Sequence, residues 1–407
     1  MRGLGDGGRR AAYGEGKMVS RREFVQAVPF GALSLAAAGL SWTPAQANAA
    51  GRSPKNIPPD RVVSLRGDSL FTKPGEYPAK LASAVGDGHD VGDFYLVDGA
   101  VTALEAKFAA LLGKEDAAFM PTGTMANQIA IRLLSKDHSR VLLQKESHVY
   151  RDEADAVAVM SSINPVPVDG GASDAWYDGI AAAFAQSAEK PYPIDVGAVS
   201  IESPVRRLDG AAVSQETVSK IGELARSKGA GMHLDGARLL LMYGSTDFDA
   251  RRYCAPFDSV YVSLYKYLGA PFGAILAGSK DFVAKARQAR HVFGGAIFHG
   301  WMAAAIAEKT LDGFDQRFTR VREAGEKLLD LLAAMPGIEV RRVPNGTNIA
   351  WLKLDEHVAT GLKERLAKID VVTGDVIDGG LPLTFNETIL RKPVATIAAA
   401  FAPPKSA

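Results

Sequence analysis

Residues 61–311 of this chain read as an α/β domain with a mostly parallel sheet, and residues 312–407 as a smaller α+β domain. Three observations predict this. Short apolar runs alternate with helical stretches as far as Ala277, the pattern that builds parallel strands joined by helices. From 301 to 332 the composition turns to Ala, Leu and Lys, which reads as one or two long helices. Short strands then return at 338–341 and 349–354, with a helix over 357–369.

The first fifty residues have the composition of an export signal. Ser20-Arg21-Arg22-Glu23-Phe24-Val25 precedes an uncharged run over 26–50, whose apolar part at 28–40 is too short and too rich in Ala and Gly to span a membrane well. Small residues at Ala45, Ala47, Ala49 and Ala50 suit a signal peptidase, and the whole resembles a twin-arginine signal. Met18 stands just before the arginine pair as a possible start. Residues 51–60, rich in Pro, Lys, Asn and Gly, form a linker.

From there the elements follow in order. Residues 61–69 begin as a strand and end in turn chemistry, and the acidic, Gly-rich stretch 86–93 is a loop carrying His89. Val101, Leu104, Phe108 and Leu111 mark one face of a helix over 98–112. The segment 117–127 runs from an apolar strand through Pro121 to a helix opened by Gly123 and Thr124, an arrangement whose free N–H groups bind anions, phosphate above all. A strand at 141–143 leads into a loop over 144–150 that contains His148. Alternating apolar runs recur at 156–160 and 196–201, and a helix covers 215–228. Then come His233-Leu234-Asp235-Gly236-Ala237-Arg238 and the stretch 258–273, where Val260, Val262 and Leu264 alternate with Tyr261, Ser263 and Tyr265 before Lys266 and a Gly/Pro turn. No internal repeat is visible.

Composition bounds the function. A hydrophobic share of 47% and a charged share of 23% are those of an ordinary globular protein. The formal charge is +1, and the first fifty residues hold six basic against three acidic groups, so the remainder is slightly negative and shows no nucleic-acid footprint. Cys254 is the single cysteine, read here as a core or strand-edge thiol, which excludes an internal disulfide and any multi-cysteine metal site. The seven histidines show no metal-binding spacing, so no metal is expected.

Three features then stand in chain order: the helix start at Gly123-Thr124, Asp235 at a strand end, and Lys266 after the next strand. Ligands of an open parallel sheet gather at the carboxyl ends of its strands. A phosphate cradle, a carboxylate and a lysine amine placed there meet the needs of pyridoxal 5'-phosphate, which binds the lysine as a Schiff base and needs a carboxylate at its pyridine nitrogen. No GxGxxG and no P-loop opens the first helix.

The motifs PTGTMAN, HLDGAR and LYKYLGAPFGAILAG, with LRGD before them and SHVY between, resemble the threonine aldolase and β-eliminating lyase family of fold-type-I pyridoxal-phosphate enzymes. The resemblance implies an aminotransferase-like large domain. It implies that Lys266 carries the cofactor, that Asp235 pairs with the pyridinium nitrogen, and that Arg238 lies beside the ring's phenolic oxygen or the substrate carboxylate. Gly123 and Thr124 would bind the phosphate, and His148 would stack on the ring. A homodimer or homotetramer is implied as well.

Several positions depart from the family pattern. Gly67 stands where a serine is usual, Val205 near a usual histidine, and the stretch 294–299 lacks an arginine. The arginine expected around 382–386 is missing, with Arg391 the nearest, and Tyr265 and Tyr267 replace the usual serine and glycine beside Lys266. Arg206 or Arg207 could hold the substrate carboxylate in their stead, or form a solvated pair. The expectation is an exported amino-acid lyase, with no membrane anchor after signal removal, that cleaves a β-hydroxy-α-amino acid to glycine and an aldehyde, with His148 or His89 as base. β-Elimination to a keto acid and ammonia, or cofactor binding without turnover, are the alternatives.

Overall fold

The computed structural model describes residues 57–70, 72–86, 91–169 and 175–403. The expected export signal, most of the linker and His89 lie outside them.

Seven strands build the main sheet: β2 (Asp116–Met120), β3 (Arg140–Gln144), β4 (Asn164–Val168), β5 (Val196–Glu202), β6 (Gly231–Asp235), β7 (Ser259–Ser263) and β8 (Ala274–Gly278). Their order is β2-β8-β7-β6-β5-β3-β4, and only β8 runs against the rest. All seven residues of β5 and all five of β7 are buried, as expected of parallel strands covered by helices on both faces. The architecture is thus a mostly parallel sheet with helices and a smaller sheet toward the C-terminus.

One segment differs from its sequence reading. The alternating run at 156–160 forms the short helix Ala156–Ser161, and the strand comes next, as β4, in the sequence Asn164-Pro165-Val166-Pro167-Val168. Two prolines hide a strand from propensity. They are tolerated because β4 pairs on one side only, with β3, so the missing N–H groups face no neighbour.

The helical stretch 301–332 is two helices, Trp301–Leu311 and Phe314–Ala333, parted at Asp312 and Gly313, where Gly313 takes φ +64°. Beyond them β9 (Ile338–Arg342), β10 (Ile349–Leu354) and β12 (Gly380–Thr384) form an antiparallel sheet in the order β12-β10-β9. The C-terminal part also holds the first described strand. β1 (Val63–Ser64) pairs in parallel with β11 (Val371–Val372), Asn386 Nδ2 donates to the carbonyls of Ser64 and Gly67 at 3.0 Å, and Arg391 Nη1 donates to those of Pro59 and Val62. These contacts deliver residues 66–69 to the carboxyl end of the main sheet. They also give Arg391 a task away from any substrate. Cys254 lies in the core at the end of the helix Ala250–Cys254, where burial pushes its thiol up to about 12.

Candidate active site

Glu202, Asp235 and Ser263 are the last residues of β5, β6 and β7, and Gly123 and Lys266 each lie three residues beyond a strand end. The parallel strands therefore aim this group at one edge of the sheet, as the topology predicts.

Asp235 is buried, and both its oxygens accept hydrogen bonds: Oδ1 from the N–H of Ala237 at 3.1 Å, Oδ2 from Asn127 Nδ2 at 3.0 Å. Asn127 is oriented in turn by His233. Burial lowers the His233 imidazole to about 4, so it is neutral; its Nδ1 sits 2.8 Å from Ser259 Oγ and its Nε2 3.0 Å from Asn127 Oδ1. With Nδ1 accepting from the hydroxyl, Nε2 carries the hydrogen. That assignment turns both N–H groups of Asn127 toward carboxyl oxygens, Asp235 Oδ2 and Glu153 Oε1, the latter at 2.9 Å.

His148 opens the short helical turn His148–Arg151, where the sequence reads as loop. Its N–H donates to Glu202 Oε2 at 2.6 Å, its Nδ1 lies 3.3 Å from Asp152 Oδ2, and its Nε2 lies 3.8 Å from Glu153 Oε1. Burial lowers its pKa, with the Asp235 charge pulling the other way. The two buried acids move oppositely to their neighbour Asp152. Burial lifts Glu153 and Glu202 to about 7, in each case reinforced by the charge of Asp235. Burial also works to raise Asp152, but the guanidiniums of Arg207 and Arg206 overcome it and bring the carboxyl down to about 2.

Arg206 and Arg207 are thus held by one carboxylate: Arg206 Nη2 lies 2.7 Å from Asp152 Oδ2, and Arg207 Nη2 lies 2.5 Å from Asp152 Oδ1. They are no solvated pair, and they stand directly beside the Asp152 oxygen that touches His148. Val205, in place of the usual histidine, is buried and bonded through its backbone to Ala211. Arg238 pairs with Asp68 at 2.9 Å; burial opposes its charge, and the Asp68 and Glu202 carboxylates with the Tyr261 phenol together more than offset this. Ser69 Oγ donates to the carbonyl of Lys266 at 2.8 Å.

The Lys266 amine lies 5.7 Å from the centroid of the Tyr265 ring and 6.0 Å from that of Tyr261, and forms no ion pair among the described residues. Burial lowers it to about 8, helped by the Arg238 charge and opposed by Asp235 and Asp68. At neutral pH a useful fraction is the free amine that a carbonyl group requires.

At the far side, Thr122 rather than Thr124 caps the helix Gly123–Ser135, its hydroxyl accepting from the N–H of Met125. That leaves Gly123 and Thr124 as the first helical residues, whose N–H groups have no intrahelical acceptor. Ser263 Oγ is buried with no hydrogen-bond partner. These residues fit pyridoxal phosphate: a free amine, a fixed carboxylate, and a helix start with an orphaned buried hydroxyl nearby. Lys266, Asp235, His148, Arg238, Gly123 and Thr124 were named from the sequence, and the structure brings them to this one region. Asp152, Glu153 and Glu202 were not so singled out, because an acid's burial is invisible in sequence; Asn127 could have been found from its spacing, one helical turn after Gly123.

Comparison with known proteins agrees with this geometry. Residues 64–355 match the family described as Beta-eliminating lyase. A low specificity L-threonine aldolase of Escherichia coli O157:H7 is 29% identical over 317 residues, 76% of this chain and 90% of that protein. An alanine racemase of Cochliobolus carbonum is also 29% identical, over 70% of this chain and 72% of its own length. Among solved structures, a protein of Exiguobacterium sp. 255-15 assigned as an aromatic amino acid β-eliminating lyase/threonine aldolase superposes with a TM-score of 0.70 at 26% identity, covering 84% of this chain and 96% of its own. A lysine-to-alanine variant of a serine palmitoyltransferase from S. paucimobilis, with a bound pyridoxal-phosphate–myriocin aldimine, shares the fold, with a TM-score of 0.59 at 16% identity, over 83% of this chain and 86% of its own. The match spans most of the chain, and this protein belongs to the β-eliminating lyase family as a pyridoxal-phosphate-dependent lyase.

Proposed function

We propose that the protein cleaves the Cα–Cβ bond of a β-hydroxy-α-amino acid, releasing glycine and an aldehyde. The observation that carries this is the setting of His148. Asp152 Oδ2 accepts from Nδ1, which leaves Nε2 as the unprotonated nitrogen, and burial keeps the ring neutral. A neutral imidazole with Nε2 free is the base that removal of a β-hydroxyl proton needs. Glu153, at 3.8 Å from Nε2 and with a pKa near 7, can share the proton afterward.

Bound at this site, pyridoxal phosphate supplies the electron sink for the carbanion left at Cα. Lys266 would hold the cofactor through its carbonyl carbon, and Asp235, whose carboxylate is fixed by Asn127 and the Ala237 N–H, would keep the pyridine nitrogen protonated. Gly123 and Thr124 offer N–H groups to the phosphate. Arg206 or Arg207, beside His148 through Asp152, is placed to take the substrate carboxylate.

β-Elimination is the second reading, and the Lys266 amine favours it: at about 8 it can accept a proton from Cα. Incubating the holoenzyme with β-hydroxy and β-substituted amino acids separates the two. Glycine plus aldehyde supports the first, a keto acid plus ammonia the second, and a cofactor spectrum that no amino acid perturbs would sink both and leave a binding protein.

Two further expectations belong with this reading. Among the described residues no helix is long and apolar enough to cross a membrane, and the Ser20–Val25 stretch supports export; recovery from the cytosol alone would oppose it. Phe94, Tyr95 and Phe298 form an exposed aromatic cluster with centroids 4.8 to 5.3 Å apart, which supports a homodimer or homotetramer, to be checked by light scattering.

A further inference from the structure

Residues i and i+2 of a strand share a face, so Tyr261 and Ser263 of β7 lie on one side of it, and Tyr265 follows beyond the strand end. Tyr261 differs from Tyr265 in burial. Tyr265 is 38% exposed, whereas Tyr261 is 1% exposed, its ring set among Met120, Ala126, Ile129, Ala237 and Leu276. From there its hydroxyl reaches the start of the helix Gly123–Ser135. A Cβ built on Gly123 would lie 2.1 Å from Tyr261 Oη and 2.6 Å from Cζ, so the phenol fills the space that a side chain at the first helical residue would need. Gly123 and Tyr261 are therefore a matched pair. Ser263 Oγ, two residues along the same face, is fully buried and finds no partner.

The geometry points to Tyr261 as a holder of the cofactor's phosphate, its hydroxyl donating beside the N–H groups of Gly123 and Thr124, with Ser263 Oγ as a second hydroxyl donor. The charge balance supports it. A phosphate monoester carries nearly two negative charges at neutral pH, and a helix N-terminus offers roughly half a positive charge. The first turn of this helix holds no basic side chain; its basic residue, Arg132, sits in the last turn. Lys266 is committed to the carbonyl end of the cofactor, which leaves hydroxyls as the donors at hand. Burial, reinforced by the Asp235 charge, raises the Tyr261 phenol well above its ordinary pKa, so it remains a donor and adds no negative charge next to the phosphate. The buried Ser263 hydroxyl without a protein partner is a loss that a bound phosphate oxygen reverses.

This inference rests on the cofactor and stands whichever bond the enzyme breaks. Its test is binding to the cofactor-free full-length protein, with pyridoxal phosphate, pyridoxal lacking the phosphate, and inorganic phosphate as a competitor. Tyr261→Phe keeps the ring and is expected to weaken pyridoxal-phosphate binding about tenfold, the value of one hydrogen bond to a charged group. Inorganic phosphate should lose competitive strength in step, while pyridoxal binds within about twofold of the unaltered protein. Ser263→Ala should act in the same direction and supplies the reading if the Tyr261 variant does not fold, as judged by its thermal transition without cofactor. Unchanged phosphate and pyridoxal-phosphate affinity in both variants would overturn the assignment. So would an equal loss of pyridoxal, which would make Tyr261 a packing residue only.

Discussion

The wall of the site, at the ends of β6 and β7, and its rim, formed by residues 66–69, 148–153 and 202–207, are held by different physics. On the wall, Asp235, Asn127 and His233 form a chain of hydrogen bonds of 2.8 to 3.1 Å in which a neutral imidazole sets one amide and that amide sets the carboxylate. On the rim, charges from separate segments pair with one another, Arg238 with Asp68 and two arginines with Asp152. The wall is arranged for a cofactor of fixed shape. The rim is arranged by ion pairs that a different substrate could re-sort, and Gly67 and Val205, two of the departures from the family pattern, fall there with the Arg206-Arg207 pair. The cofactor is accordingly the firm part of the identification and the substrate the open part.

Changes on the wall should have the largest effects. Lys266→Ala is expected to abolish the visible absorbance of the lysine-bound cofactor and to lower kcat by about 10³-fold or more, as loss of a covalent residue in a working constellation does. Retention of that absorbance would break the cofactor assignment. Asp235→Asn should keep the cofactor bound but lower kcat by about 10²-fold, since a preorganised electrostatic partner is lost while the hydrogen-bonding shape survives.

At the rim the comparison can be sharpened. His148→Ala should lower kcat by about 10²-fold, whereas Asp152→Asn, which removes the charge that faces His148 Nδ1 and holds Arg206 and Arg207, should cost about tenfold and move the acidic limb of the pH profile. An Asp152→Asn loss as large as that of His148→Ala would place the aspartate in the chemistry itself. Such a result would erase the distinction between wall and rim.

A separate effect is expected on stability. Glu153 has a folded pKa near 7 against an ordinary value of 4.5, so the folded protein holds its proton more tightly than the unfolded chain. The stability from that proton is fully present below pH 4.5 and is lost as the pH rises through 7, by up to about 3 kcal/mol. Thermal melts of cofactor-free protein between pH 4.5 and 7.5 should therefore decline in the unaltered protein and decline less steeply in Glu153→Gln, where Glu202 still titrates. A slope that the substitution leaves untouched would assign the titration to Glu202 instead.

Much of the wall was legible in the chain, because its residues sit at fixed offsets from strand ends: Asp235 closes an apolar run, Lys266 follows an alternation, and Gly123 opens a helix after a Pro turn. Helix limits were close for the same reason, period and punctuation being local properties. The proline-bearing strand β4 escaped since its fitness as a strand depends on standing at a sheet edge. The rim escaped more fully. Asp152 meets Arg206 and Arg207 across more than fifty positions, and Asp68 meets Arg238 across 170.

The sequence by itself determined the fold class and the cofactor, and it singled out the lysine, aspartate and histidine proposed to serve it, since periodicity and short motifs encode where strands end and what stands there. Only the tertiary structure decided which groups are charged and which phenol faces the helix start. Burial lifts two glutamates to near 7 while two arginines drag the adjacent Asp152 to about 2, and whether Tyr261 is core filler or phosphate donor turns on the space above Gly123. Desolvation and close approach are properties of the neighbours a residue acquires on folding, and the chain does not carry them position by position.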